Sequence, residues 1–467
     1  MSGRGRTISA SLALAGALLA PAAADAGGFY VTDRGVRPAA RAGAFVAGAD
    51  DQHAIWYNPA GLAYAQNGFL LDATYIAWDQ NYTRETGGMT LPTVHAGTAP
   101  LAVPTLVINH NFGQRDWMFA FGLFAPNAVI THYEETRLSP QRYSMISLDG
   151  SVLAVAGLWA AYKPRSDLSI GLGIQALVGS FAARMVLSGC PATITCQPED
   201  PEWDATAQLQ VGPIFAPSAN VGIRYQPSRY VVLGISGQLP FWVDAPATLG
   251  VRLPSASFYD GSTVNGNRAN VQFTLAPIVR AGVEVRPDAN DRIEVAFVYE
   301  GWSMHDRIAL NPVRDETQPH GIQIQNTRGV GVYDVGAVAI PRNFQDTYSI
   351  RLGAERDQAI GTNMHLFPRL GFAYETSATA PENTSVLTFD TQKFTLGIGL
   401  GFAWNRLRID ATFNHVFASS VAVAEQDAHI YQVAPFRAND QAPMRAINAG
   451  TYDLSINTIG LGLRYSF

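Results

Sequence analysis

Long apolar runs are scarce in this 467-residue chain, and so are lysine and cysteine. The longest apolar run, Ile8 to Ala20, lies behind Arg4 and Arg6 and ahead of Ala24-Asp25-Ala26. It is shorter than the roughly 20 residues that carry a helix across a bilayer. A basic start, a short apolar core and an A-x-A site read as a cleaved export signal over residues 1–26, not as an anchor. No comparable run follows, which excludes a helical membrane protein. A soluble protein or a β-barrel remains, because barrel strands turn only alternate residues to lipid. Lysine occurs only at Lys163 and Lys393, and the net charge of −6 argues against a nucleic-acid partner. The two cysteines, Cys190 and Cys196, share one polar loop, so a disulfide staple is expected after export. No histidine adjoins them, and neither a metal site nor a cofactor is expected. G-x-S-x-G and H-E-x-x-H are both missing. Gly397-x-Gly399-x-Gly401 runs through a strand with no helix behind it, which excludes a nucleotide loop.

What the chain does have is period-two alternation. Phe394, Leu396, Ile398, Leu400, Phe402 and Trp404 alternate with Thr395, Gly397, Gly399, Gly401 and Ala403, giving one face fit for lipid and one nearly bare. Stretches 293–299 and 348–354 repeat the pattern with Arg and Glu on the second face. Short polar turns near 114–116, 163–167, 226–229, 286–291, 357–363 and 405–406 alternate with long connections near 79–102, 133–142, 188–204, 254–270, 313–340, 375–392 and 425–450. Six short turns and seven long loops predict an all-β, 14-stranded antiparallel transmembrane barrel over residues 69–467, with both ends on the short-turn side. Phe112, Trp117, Tyr162, Tyr225, Tyr230 and Trp404 are expected as the aromatic girdle at those turns, and Trp78, Tyr82, Tyr133 and Trp242 as a second girdle. The last strand ends on an alternating run to Phe467, the pattern of a barrel-assembly substrate. Leu454 and Ile456 fall on the opposite parity, so a bulge is expected near Asn457-Thr458.

Residues 27–68 do not fit the wall. They hold Gly35, Pro38, Gly43, Gly48 and the segment Asp50-Asp51-Gln52-His53-Ala54-Ile55-Trp56-Tyr57-Asn58-Pro59-Ala60-Gly61-Leu62. Fourteen strands enclose a lumen that must be filled or conduct water; this segment is expected to be a plug. Its Asp50, Asp51, Asn58, Pro59, Ala60 and Gly61, with the export signal, strand number and final strand, resemble the outer-membrane long-chain fatty acid transporter family (FadL type, OmpP1/FadL/TodX). The resemblance implies a monomeric outer-membrane importer, not an enzyme, assembled by the barrel-assembly machinery among outer-membrane lipid and lipopolysaccharide. It implies capture at extracellular loops and lateral release through an inward kink in the third strand. The kink is expected at Gly122, Phe124, Pro126 and Asn127, since proline removes a ladder donor there.

Long-chain fatty acid is the first expectation for the ligand, with neutral aromatic hydrocarbons as the alternative; a porin or an outer-membrane lipid hydrolase ranks lower. Candidate contacts are Phe29 near the mature N-terminus, Leu177, Phe181, Phe215 and Trp242 on the wall, and Trp203, Phe258 and Tyr259 on two outer loops. A carboxylate wants a charge-assisted donor. The resemblance implies one on the fifth strand, where Ser180 stands and Arg184 is the nearest basic residue. Arg280, Glu284, Glu294, Arg351, Glu355, Arg408 and Asp410 are expected to form a lumenal ion-pair network under the plug.

Overall fold

A computed structural model describes residues 33–97, 101–125, 132–133, 136–144, 146–147, 151–191, 194–197, 199–387, 389–435 and 445–467. The export signal, Phe29, Pro126 and Asn127 lie outside these residues. Among the described residues the wall is a closed antiparallel barrel of fourteen strands. They are β1 (Gly68–Thr86), β2 (Leu101–His110), β3 (Trp117–Phe124), β4 (Val152–Arg165), β5 (Leu168–Ser188), β6 (Asp204–Ser228) and β7 (Val231–Gln238, continuing as Phe241–Arg252). The circuit continues with β8 (Arg268–Leu275, then Ile278–Val285), β9 (Asp291–Glu300, then Arg307–Pro312) and β10 (Val338–Pro341, then Thr347–Arg356). It is completed by β11 (Met364–Glu375), β12 (Lys393–Trp404), β13 (Leu407–Ala418) and β14 (Gly450–Ser466). Pairing of β14 with β1, from Gly68↔Ser466 to Arg84↔Gly450, closes the ring without an edge.

The alternation does what the pattern predicts. Leu396, Ile398 and Leu400 point outward, while Gly397 and Gly399 face in. Those bare positions make room for the plug: a Cβ on Gly397 would lie 2.6 Å from the Ala39 carbonyl oxygen, and one on Gly399 2.4 Å from the Ala40 Cβ. The plug itself, from Asp33 to Gln66, holds two one-turn helices, α1 (Val36–Ala39) and α2 (Ala54–Tyr57), then a 3₁₀ stretch at Pro59–Tyr64. Most of it is buried within the wall; Asp33, Asp50 and the last few residues are partly open.

Several expectations are corrected. β14 runs in unbroken register with β1, so there is no bulge at Asn457-Thr458. Leu454 and Ile456 face inward because the upper lumen on that side is itself apolar, filled by Val386 and Phe389 from a loop. Trp78, Tyr82 and Tyr133 belong to this same buried cluster and not to an outer girdle. The Tyr82 and Tyr452 rings stack there at 4.5 Å. The connection near 79–102 is shorter than expected, since β1 extends to Thr86. The long 313–340 connection contains a hairpin (Ile322–Thr327 with Gly331–Val335) that pairs with Thr263–Asn265 outside the wall.

Candidate functional site

The plug is held by charge. Arg37 reaches Asp50 at 2.6 Å, Asp51 at 2.8 Å and Glu355 of β10 at 2.6 Å. Arg292 of β9 returns to Asp50 at 2.7 Å, and Arg464 of β14 to Asp51 at 2.9 Å. Glu294 of β9 accepts the backbone N–H groups of Val46, Ala47 and Gly48 at 2.6–2.9 Å and also the Arg41 guanidinium at 3.1 Å. His53 lies between two carboxylates, its Nδ1 2.8 Å from Asp51 and its Nε2 2.7 Å from Asp72 of β1. Burial works against the imidazolium, but those carboxylates outweigh it and push its pKa up to about 9. Burial likewise opposes the Asp51 charge, and His53 and Arg37 overcome it, holding the carboxyl well below the usual range. Such pairs fix geometry more than they add stability, because removing two charges from water offsets most of their attraction.

The Asn-Pro-Ala turn sits on the opposite side. Asn58 caps the 3₁₀ stretch by accepting from Ala60 N at 3.2 Å, and its Nδ2 donates to the Val46 carbonyl at 2.9 Å and to Ile223 O of β6 at 3.1 Å. One amide thus joins the turn, the other limb of the plug and the wall. Pro59 pre-sets the first helical φ and has no N–H to leave unpaired. Two wall positions must be bare for this approach: a Cβ on Gly222 would meet the Asn58 Oδ1 at 2.0 Å, and one on Gly171 the Ala60 N at 2.2 Å. Ser169 donates to Ala60 O at 2.9 Å, Asn220 to Ile55 O at 2.7 Å and Ser236 to Tyr57 O at 2.6 Å.

Above the plug, the lumenal face of β4 to β9 is apolar, with Leu177, Phe181, Val211, Ile214, Phe241 and Val271 in one continuous cluster that ends on Ile55 and Trp56. Beside that floor the wall changes. Among the described residues the β3 ladder reaches Phe124, paired to Thr105 on one side and Val155 on the other, and Ala125 N–H still donates to the Pro104 carbonyl at 3.4 Å, while β2 and β4 run on with their outer neighbours. The Ala125 carbonyl is taken by the Arg34 guanidinium of the plug at 2.6 Å. Phe124 points inward and packs edge-on against Trp56, with ring centres 5.6 Å apart.

A family model described as outer membrane protein transport protein (OMPP1/FadL/TodX) matches residues 17–467. The chain belongs to this family. Solved structures with the same fold include a Pseudomonas aeruginosa FadL homologue, with a TM-score of 0.68 at 14% identity, covering 95% of this chain and 100% of that one. The Pseudomonas putida toluene transporter TodX follows at 0.63 and 14%, covering 94% and 99%. The Ralstonia pickettii toluene transporter TbuX stands at 0.59 and 15%, covering 94% and 100%. No curated protein matches. Membership of the OMPP1/FadL/TodX family makes this an outer-membrane β-barrel that transports hydrophobic compounds.

In this family member the wall candidates divide by face. Leu177 and Phe181 face the lumen. Phe215 is 72% exposed on the outer face, because its neighbour Ile214 points in; Trp242, 54% exposed, is outside for the same reason beside Phe241. Arg184 pairs with Gln208 on the outer face and cannot meet a lumenal carboxylate. Trp203, Phe258 and Tyr259 come together from two loops, with ring centres 5.1–6.3 Å apart, next to the Cys190–Cys196 disulfide. Gly122 faces in, and a Cβ there would meet Ile55 Cδ1 at 2.6 Å. The sequence reading missed Arg34, Arg37, Arg41, His53 and Trp56. Arg37 and Arg41 both turn to carboxylates of β8 to β10, whereas Arg34 turns to the end of β3, so their 3- and 4-residue spacing did not mark one face.

Proposed function

We propose that this protein admits neutral hydrophobic molecules, aromatic hydrocarbons foremost, and releases them sideways into the bilayer at the end of β3. The observation that carries this reading is the largely apolar lining of β4 to β9, ending on Trp56 against Phe124, the last β3 ladder residue among those described. Trp203, Phe258 and Tyr259 would gather the ligand at the loops. Release through the wall suits the chemistry, since an apolar solute set free in the periplasm would cost roughly 25 cal/mol per Å² of surface. The outward Arg184 removes the expected carboxylate anchor.

Long-chain fatty acid is the second reading, favoured by one observation. The guanidinium carbons of Arg34 and Arg280 lie 4.3 and 4.8 Å from the Trp56 ring centre, placing two cations at the floor of the greasy passage. Acidic groups balance that floor, since Asp33 and Glu300 both stand within electrostatic reach of Arg280. A carboxylate would therefore compete with resident ones.

Uptake of labelled toluene and labelled oleate, run in parallel, separates these. The host is a Gram-negative strain lacking its own hydrophobe transporter. Toluene uptake without oleate uptake, abolished by Gly122→Trp, is the expected result. Oleate uptake that falls in Arg280→Met while toluene uptake does not would establish the second reading. Uptake of neither would overturn both.

A further inference from the structure

The outer face of the wall holds a hollow that faces away from the lumen. It spans β7 to β10 and has a volume of about 510 Å³, with Trp242, Asp244, Gln272, Arg307 and Ala309 among its lining. Asp244, Gln272, Ala309 and Ala339 lie side by side in one row across the four strands, and the two alanines leave the wall bare between larger neighbours. Below the row the outward residues are apolar or aromatic, such as Ile235, Leu239 and Tyr348; above it they are polar, such as Thr248 and Arg268. The hollow therefore lies at the height of the outer-leaflet head groups.

Its chemistry is specific. The Asp244 carboxylate accepts from Asn270 Nδ2 at 2.6 Å and Gln272 Nε2 at 3.0 Å, which fixes both amides beside the exposed indole of Trp242. Fixed amides and carboxylates offer donors and acceptors at short intervals, and an open aromatic face attracts weakly positive C–H groups. A phosphate fits poorly, because Asp244 and Asp306 outnumber Arg307 around the hollow. A polyhydroxylated ring fits both features. We propose that this hollow binds a neutral sugar ring of the glycolipid that makes up the outer leaflet. The proposal rests on the outer-membrane placement and not on what the lumen carries.

Calorimetric titration of the intact barrel in detergent micelles tests it, with rough lipopolysaccharide carrying a complete hexose core, its delipidated and dephosphorylated core oligosaccharide, and phosphatidylglycerol as probes. Both glycan probes should bind and phosphatidylglycerol should not displace them. Trp242→Ala should weaken oligosaccharide binding by about tenfold. Ala309→Trp, which fills the hollow and removes no polar group, should abolish it. Toluene uptake should be unchanged in both variants, since neither side chain reaches the lumen. Failure of either glycan probe to bind, displacement by phosphatidylglycerol, or wild-type binding in both variants would overturn the proposal.

Discussion

The two flanks of the plug are built differently. Toward β8 to β14 and β1 it is fastened by guanidinium–carboxylate pairs and by the Glu294 carboxylate on three successive N–H groups. Toward β2 to β7 it rests on neutral hydrogen bonds from Gln52, Ser169, Asn220 and Ser236 and on bare glycines. Among the described residues the cations on that side meet neutral groups: Arg34 and Arg224 donate to carbonyls, and Lys163 of β4 lies over the Tyr64 ring. Breaking a buried ion pair leaves an uncompensated charge at a cost of about 3–5 kcal/mol, while a neutral hydrogen bond contributes about 1 kcal/mol. A ligand-driven displacement is therefore cheapest on the neutral flank, and that flank borders the end of β3 and the apolar lining. The ionic flank is the fixed side. Anchoring of the plug and the proposed exit thus lie on opposite walls of one barrel.

The strongest way to break this comparison is to remove the fixed side. Glu294→Ala strips a fully buried carboxylate from Arg41 and three N–H groups and is expected to cost about 3–5 kcal/mol. The barrel should persist while the plug loosens, seen as protease cleavage near Gly48 and a steady ion conductance in planar bilayers. A silent membrane with an intact plug would show that the ionic flank is redundant.

His53 gives a reversible version. Its folded pKa of about 9 lies above the ordinary value of 6.5, so its contribution is fully present below about 6.5 and is lost as pH rises through 9. Plug mobility, followed by hydrogen exchange of residues 46–57, should increase between pH 8 and 10 relative to neutral pH (range set by that pKa, about 9). His53→Gln should be loose at neutral pH and lose the alkaline step. A step that persists in the variant would assign it to another group.

How much of this was legible is instructive. The strand number emerged because turns and alternation are local, and the plug because its turn residues fit no strand. Face assignments failed where parity was read loosely. Phe181 and Arg184 are three apart, which in one strand puts them on opposite faces. Phe215 and Trp242 were grouped with the inward residues next to them. In β6 an irregularity between Val211 and Ile214 further shifts the register against β5, so parity cannot be carried along the whole strand. Leu454 and Ile456 were misread for a different reason: an inward apolar residue looks like a slipped outward one unless the loop that covers it is known. The Asp51–His53 spacing was visible; Asp72, the second partner, needed the closed ring.

Asn58→Ala comes next in size. It removes the bonds to Val46 O and Ile223 O together with the cap on Ala60, at about 1–3 kcal/mol. Because Asn58 joins the two limbs of the plug to β6, uptake should fall although the barrel keeps its resistance to heat in detergent. Gly222→Ala presses on the same amide from the wall and should reproduce the defect with every plug residue intact. Normal uptake in both variants would remove the Asn-Pro-Ala turn from the mechanism.

The smallest expected effect sharpens the comparison most. Ser236→Ala deletes a hydroxyl that donates to Tyr57 O on the neutral flank and should cost about 1 kcal/mol or less. On a static plug such a change would be invisible. On a plug that yields at this flank it lowers the barrier to displacement, so uptake should be equal to or faster than wild type and no steady conductance should appear. Loosening the ionic flank leaks and loosening the neutral flank does not; that opposition of sign, measured in one pair of variants, is what the asymmetry requires. A leak from Ser236→Ala would mean that both flanks hold the plug shut in the same way.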